Sequence, residues 1–270
     1  MYRVLISDLD GTLLDDNKNI SKENLDAIEH IIKKGFIFMI ASGRSNMSLD
    51  IFNKDIGLNK AGMYCIAYNG GMIFNAESGE KKIEHFLEKD SAVSILDITR
   101  KYNSEFVNTM LYTEGELYIE NFNEDTDRYC KRSFLKPKVV KDLRCLKNKN
   151  INKIFSLGRR DILEEIEKEC NCTNIKYKCS AFYSGDMIYE FNPLNIDKGS
   201  AILEFSEITG IDIKDIIAVG DNYNDISMIE KAGLGIAVSN SPEEVKKHAD
   251  VVTINNNNNS VIAEIVEKYF

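Results

Sequence analysis

Histidine and paired cysteine are scarce in this chain: three histidines (His30, His85, His248) and six cysteines without a C-x-x-C pair give a zinc site poor material. Basic residues are outnumbered, 34 against 43 acidic, and the net charge of -9 argues against a nucleic-acid partner. No apolar run approaches the roughly 20 residues of a membrane-spanning helix. The first residues enter a strand pattern directly, with no basic, apolar, small-residue leader, so a cytoplasmic location with reduced thiols is expected. A Walker phosphate loop, a G-x-S-x-G elbow and a G-x-G-x-x-G fingerprint are also missing, which removes the NTPase, serine-hydrolase and dinucleotide readings.

What is present begins at Val4-Leu5-Ile6-Ser7-Asp8-Leu9-Asp10-Gly11-Thr12. A strand-forming apolar run stops at two aspartates one residue apart, where open α/β sheets place their chemistry. Carboxylates this close repel as anions and need a cation or a proton to share a site. A divalent metal would keep Asp8 ionised as a nucleophile while Asp10 carries a proton as an acid. A calcium loop fails on the position of Gly11, and a solvated acidic turn is the remaining bland alternative.

Further along, Ser21 caps a helix with apolar positions at Leu25, Ile28, Ile31 and Ile32, ended by Gly35. The apolar run Phe36 to Ala41 then delivers Ser42-Gly43-Arg44, where Ser42 reads either as a helix cap or as part of a phosphate cradle. Met63 to Tyr68 leads into Asn69-Gly70-Gly71. From residue 83 to 189 helices alternate with half-polar strands, among them Ile175 to Ser180, as in an α+β domain whose sheet has one wet face. The parallel pattern resumes with Lys198-Gly199 opening a helix, then Ile216 to Val219 delivering Gly220-Asp221-Asn222-Tyr223-Asn224-Asp225. Ser241-Pro242-Glu243-Glu244 reads as a capping box, Asn255 to Asn259 as a solvated loop, and Ser260 as the cap of a closing helix. The acids suit magnesium, and Ser42 and Lys198 suit phosphate oxygens.

Taken in order, D-L-D-G-T (Asp8 to Thr12), S-G-R (Ser42 to Arg44), Lys198 and G-D-x-x-N-D-x-x-M (Gly220 to Met228) resemble the motifs of the haloacid dehalogenase superfamily. The place of the insert, the Asn69-Gly70-Gly71 turn and the Gly235 to Val238 segment are similar to the Cof-type, subfamily IIB phosphatases with a C2B cap. The resemblance implies a Rossmann-like α/β core at 1–82 and 190–270 and an inserted α+β cap at 83–189 that sets substrate specificity. It implies Asp8 as nucleophile and Asp10 as acid/base. Mg2+ would be held by Asp8, Asp221 and the Asp10 carbonyl, and phosphate by Leu9, Ser42, Gly43, Lys198 and Asn224, with Asp225, Arg44 and Asn69 supporting them. A small phosphate monoester is the implied substrate, acted on by a monomer that binds neither nucleic acid nor membrane. A sugar phosphomutase, a phosphoaspartate signalling receiver and a non-catalytic metabolite-binding regulator are the alternatives.

Overall fold

The computed structural model describes residues 2–60 and 62–270. The chain divides into two compact units, Met1–Ile83 with Asp197–Phe270, and Glu84–Ile196. The first opens with β1 (Val4–Ser7), α1 (Lys22–Lys33), β2 (Ile37–Ala41), α2 (Asn46–Ile56), β3 (Tyr64–Ala67), β4 (Met72–Asn75) and β5 (Lys81–Glu84). The second carries α3 (Lys89–Thr99), β6 (Val107–Thr113), β7 (Glu116–Ile119), α4 (Glu124–Ser133), β8 (Lys138–Val139), β9 (Ile151–Gly158), α5 (Arg160–Asn171), β10 (Cys179–Gly185) and β11 (Ile188–Pro193). The chain then returns to the first unit for α6 (Lys198–Thr209), β12 (Ile216–Gly220), α7 (Ile226–Lys231), β13 (Leu234–Ala237), α8 (Glu243–Lys246), β14 (Val251–Val252) and α9 (Val261–Tyr269). Among the described residues no helix is long and apolar enough to cross a membrane.

The first unit is built on a sheet in the order β14-β13-β12-β1-β2-β3-β4-β5. It is parallel from β14 to β3, and β4 returns antiparallel. β1 takes the centre because Val4, Leu5 and Ile6 are apolar on both faces and fully buried. Alternate residues Val4, Ile6, Met39, Ile216 and Ala218 pack with Ala201, Ile202 and Phe205 of α6 and Met228 of α7. Each such isoleucine contributes about 1.5–3 kcal/mol by its burial. Strand order runs outward from β1 in both directions, which is the switch point where open sheets leave a crevice. Ser7 lies opposite both Ile40 and Val219, so Ser42 and Asp221 leave the sheet within one residue of the level of Asp8.

Capping chemistry sets the helix starts. Ser21 caps α1 by accepting the Asn24 amide, and Gly35, at φ 87°, turns the chain out of the helix. α6 is capped by Asp197, in a reciprocal box with Ser200, which makes Lys198 the first helical residue. Ser42 is not a cap: Ser45 takes that role for α2 by accepting the Ser48 amide. The box expected at Ser241 does not form, because α8 starts one residue later, after Pro242, and among the described residues the buried Ser241 hydroxyl has no hydrogen-bond partner. Ser260 stands at the start of α9 in a left-handed conformation (φ 59°) that sends its hydroxyl to Ser21 Oγ at 2.9 Å instead of to its own helix.

The second unit holds a sheet in the order β10-β11-β9-β6-β7-β8. Val107, Leu111, Ile154 and Phe191 pack with Ile95 of α3 and Leu163 and Ile166 of α5. The expected wet face is absent from β6 and β9, which are buried along their whole length. α4 contributes to the second face through Thr126, which accepts from Asn108 at 2.8 Å, and Tyr129, whose ring lies 5.1 Å from Phe155. The same face carries a buried Lys153–Glu190 pair at 3.1 Å. The strand expected from Ile175 is displaced: Thr173 accepts the Ile175 amide and starts a tight turn over Asn174–Tyr177, so β10 begins only at Cys179.

Candidate active site

Asp8 is the first residue beyond β1, and its amide donates to Val219 O at 2.9 Å, which locks it against β12. Its side chain is almost fully buried. Lys198, wholly buried at the head of α6, places its ammonium between Asp8 Oδ1 and Asp225 Oδ1, the latter at 2.5 Å. Asp225 Oδ2 accepts the amides of Asp221 and Asn222 at 3.0 and 2.9 Å. Both oxygens of Asp225 are therefore committed to holding Lys198 and the turn. Gly220 makes this approach possible, since a Cβ there would lie 2.4 Å from Asp225 Cβ.

Burial opposes the charge on Lys198, but the carboxylates of Asp225 and Asp8 outweigh it and raise its pKa. For Asp8 burial comes first, and the Asp225 charge adds to it, so its pKa stands well above the ordinary value despite Lys198. Asp221 is pushed up to about 7 by burial and by Asp225, with the Thr12 hydroxyl, donating at 2.8 Å, opposing. Gly11, at φ +85°, has no room for a side chain, because a Cβ would come 2.5 Å from Asp221 Oδ2.

Carboxylate oxygens of Asp8, Asp221 and Asp225 lie within 4.8 Å of one another. Such a donor set of hard carboxylate oxygens, two of its members raised by burial and by the neighbouring Asp225 charge, fits a divalent cation of the magnesium type. Asp225 already accepts three bonds, from Lys198 and from the Asp221 and Asn222 amides, which leaves Asp8 and Asp221 as the carboxylates more open to a cation.

Asp10 stands apart from this group. Arg44 holds its carboxylate with two bonds, Nε at 2.7 Å and Nη2 at 2.9 Å, and Lys18 adds a third contact at 3.0 Å. Burial would raise its pKa, but the Arg44 fork and Lys18 win and hold it well below the usual carboxylate range. Arg44 is itself fixed, donating to Ser48 Oγ at 3.3 Å and lying over the Phe52 ring at 5.2 Å.

A third group assembles around Asn69, which is fully buried at φ 54°. Its amide donates to Ser42 O at 3.0 Å, and its Oδ1 accepts from Asn224 Nδ2 at 3.1 Å. Gly43 lies so close that a Cβ would meet Asn69 Oδ1 at 2.9 Å. Ser42 Oγ accepts the Arg44 amide at 3.2 Å, and Leu9 O accepts the Leu14 amide at 2.9 Å. The structure thus brings Asp8, Asp221, Lys198 and Asp225 into one cluster, pairs Asp10 with Arg44, and joins Ser42, Gly43, Asn69 and Asn224. Two contributors escaped the sequence reading. Lys18 sits in a polar loop where nothing in the spacing points back to Asp10, whereas Thr12 was legible as the polar end of D-L-D-G-T.

Comparison with known proteins places the chain in a family. A model of the haloacid dehalogenase-like hydrolases matches residues 5–265. The 5-amino-6-(5-phospho-D-ribitylamino)uracil phosphatase YcsE of Bacillus subtilis is 30% identical over 260 residues, covering 94% of this chain and 90% of its own. A haloacid dehalogenase-like hydrolase from Bacteroides thetaiotaomicron superposes with a TM-score of 0.91 at 29% identity, over 100% of both chains. The subclass IIB sugar phosphatase BT4131 shares the fold, with a TM-score of 0.84 at 21% identity over 99% of this chain and 98% of its own. The family match spans the sheet, the carboxylate cluster and the inserted unit alike, and on that ground the chain belongs to the haloacid dehalogenase-like hydrolases, as a Cof-type phosphatase.

Proposed function

We propose that the chain is a magnesium-dependent phosphatase that hydrolyses small phosphorylated metabolites through a phosphoaspartate at Asp8. The observation that carries this reading is the buried Lys198 ammonium shared by Asp8 and Asp225 at the carboxyl edge of the sheet. Asp8 Oδ1 faces that ammonium, and among the described residues no protein donor binds Oδ2. Oδ2 is the oxygen that forms the bond to phosphorus while the ester oxygen departs. Magnesium between Asp8, Asp221 and the Asp10 carbonyl would neutralise phosphoryl oxygens. Lys198, Ser42, Gly43, Asn224 and the backbone at Leu9 orient the phosphoryl group.

Asp10 protonates the departing alcohol and then takes a proton from the water that cleaves the acyl phosphate. Its clamp by Arg44 and Lys18 keeps it ionised in the absence of substrate, the form the second step needs. An arriving phosphate adds negative charge beside it and favours uptake of the proton that the first step consumes. The unit Glu84–Ile196 we assign to selection of the leaving group, as the cap of the enzyme. The test is phosphate release with magnesium from a panel of sugar phosphates and phosphorylated cofactor precursors, 5-amino-6-(5-phospho-D-ribitylamino)uracil among them. Release from at least one, lost in Asp8→Asn by about 10⁴-fold or more, supports the reading. Full activity in Asp8→Asn removes it.

A further inference from the structure

The asparagine run near the C-terminal end, which reads from sequence as solvated loop, is tied to the segment that follows Asp8. Asn257 is buried, and its Nδ2 donates to Leu14 O at 3.1 Å and to Asp16 Oδ1 at 3.0 Å. Asn258 exchanges two bonds with Asp16, accepting its amide and donating to Oδ2, each at 3.1 Å. The Asn257 amide donates to Asn240 Oδ1 at 3.1 Å, and Asn240 Nδ2 donates to Gly11 O at 2.9 Å. The relay continues through Thr12, whose hydroxyl holds Asp221. Within the segment itself, the bridge between Asp10 and Leu14 and the Asp15–Asn19 turn close a small flap that also carries Lys18 to Asp10. The run therefore grips this flap directly at Leu14 and Asp16, and at Gly11 through Asn240, all three between the two flap residues of the clamp, Asp10 and Lys18.

We propose that Asn240, Asn257 and Asn258, with Asp16, form a latch that fixes the flap and so sets the position of Asp10. They are positioning residues that reach the reaction only through the flap backbone. Amides are suited to this, since each side chain both donates and accepts and none adds charge beside an acidic site. The inference rests on the reading of Asp10 as acid and base. Displacing a catalytic group by about 1 Å costs on the order of 10²-fold in rate, so loosening the flap should act on kcat more than on substrate binding.

The test uses isosteric and exposed changes. Asn257→Asp keeps the shape but loses both donors and faces Asp16 with a like charge, while Asp16→Ala is a mild surface change that removes the acceptor of both asparagines. Asn259→Ala, in the same run but with no side-chain hydrogen bond to the flap among the described residues, is the control. We expect kcat to fall about 10-fold to 100-fold in the first two, KM and inhibition by inorganic phosphate to change less than about twofold, and the amides of residues 11–16 to exchange hydrogen faster. Asn259→Ala should match the parent in all three. Faster exchange with unchanged kcat would overturn the positioning role, and unchanged exchange would overturn the latch. Should the parent release no phosphate from any substrate, the functional reading falls, and the exchange measurement alone still decides whether the run holds the flap.

Discussion

Asp8 and Asp225 share one buried ammonium, since Lys198 stands between their carboxyl groups. Removing one member of such a cluster leaves uncompensated charge in the interior. Lys198→Met should therefore destabilise the protein by about 3–5 kcal/mol and abolish turnover, measured by urea unfolding in chelator and by phosphate release. An unchanged unfolding midpoint would mean that the ammonium is not what stabilises the two acids. Residue types and their order at the sheet edge were enough to place Asp8 and Asp221 together from sequence, because charge at the end of an apolar strand has few structural uses, and Lys198, which opens α6, joins them in the structure. The partner of Asp10 was less legible: Arg44 was read as a supporting group, whereas its bidentate hold on Asp10 depends on side-chain direction, which spacing does not encode.

At the scale of elements, strands and helices with strong local signals fell where the pattern put them. α1 is the plain case, with Ser21 capping it and Ile28 and Ile31 buried. Ser21→Ala should cost about 1 kcal/mol, lower the melting temperature by roughly 2–4 °C, and leave kcat unchanged. A loss of activity there would show that the cap serves the site. β11 was not legible because Glu190 and Asn192 interrupt its apolar pattern, and burial of Glu190 is made tolerable by partners on neighbouring strands, Lys153 of β9 and Ser184 of β10. Ser241 and Ser260 show the opposite failure, where the right residue type occupies a cap position but the backbone directs the hydroxyl elsewhere. The wet face expected of β6 and β9 was wrong for a similar reason, since polar residues on these strands mark internal partners such as Thr126 and Glu190 rather than solvent.

For the molecule as a whole, the excess of acid becomes a dependence of stability on pH. Asp221 has a folded pKa of about 7, against an ordinary carboxylate value near 4 in the unfolded chain. Between those values the folded state holds a proton that the unfolded state has released, so stability falls as pH rises from about 4 to about 7 and levels off above. Asp8 is shifted in the same direction and adds to the effect. Asp10, depressed, contributes in the other sense, with stability present above the unfolded value and lost as pH falls toward its folded one. In chelator the melting temperature should therefore drop by several degrees between pH 5 and pH 8, and magnesium should restore more of it at pH 8 than at pH 5. An equal magnesium effect at both values would mean that the cation does not bind the raised carboxylates. The account as a whole turns on covalent chemistry at one oxygen of Asp8, and the most direct measurement is borohydride trapping during turnover in the Asp10→Asn variant. With the second step slowed, reduction of the acyl phosphate should convert residue 8 to homoserine, read by mass spectrometry of its peptide. Phosphate release with residue 8 unmodified, or with the modification at another side chain, would contradict it.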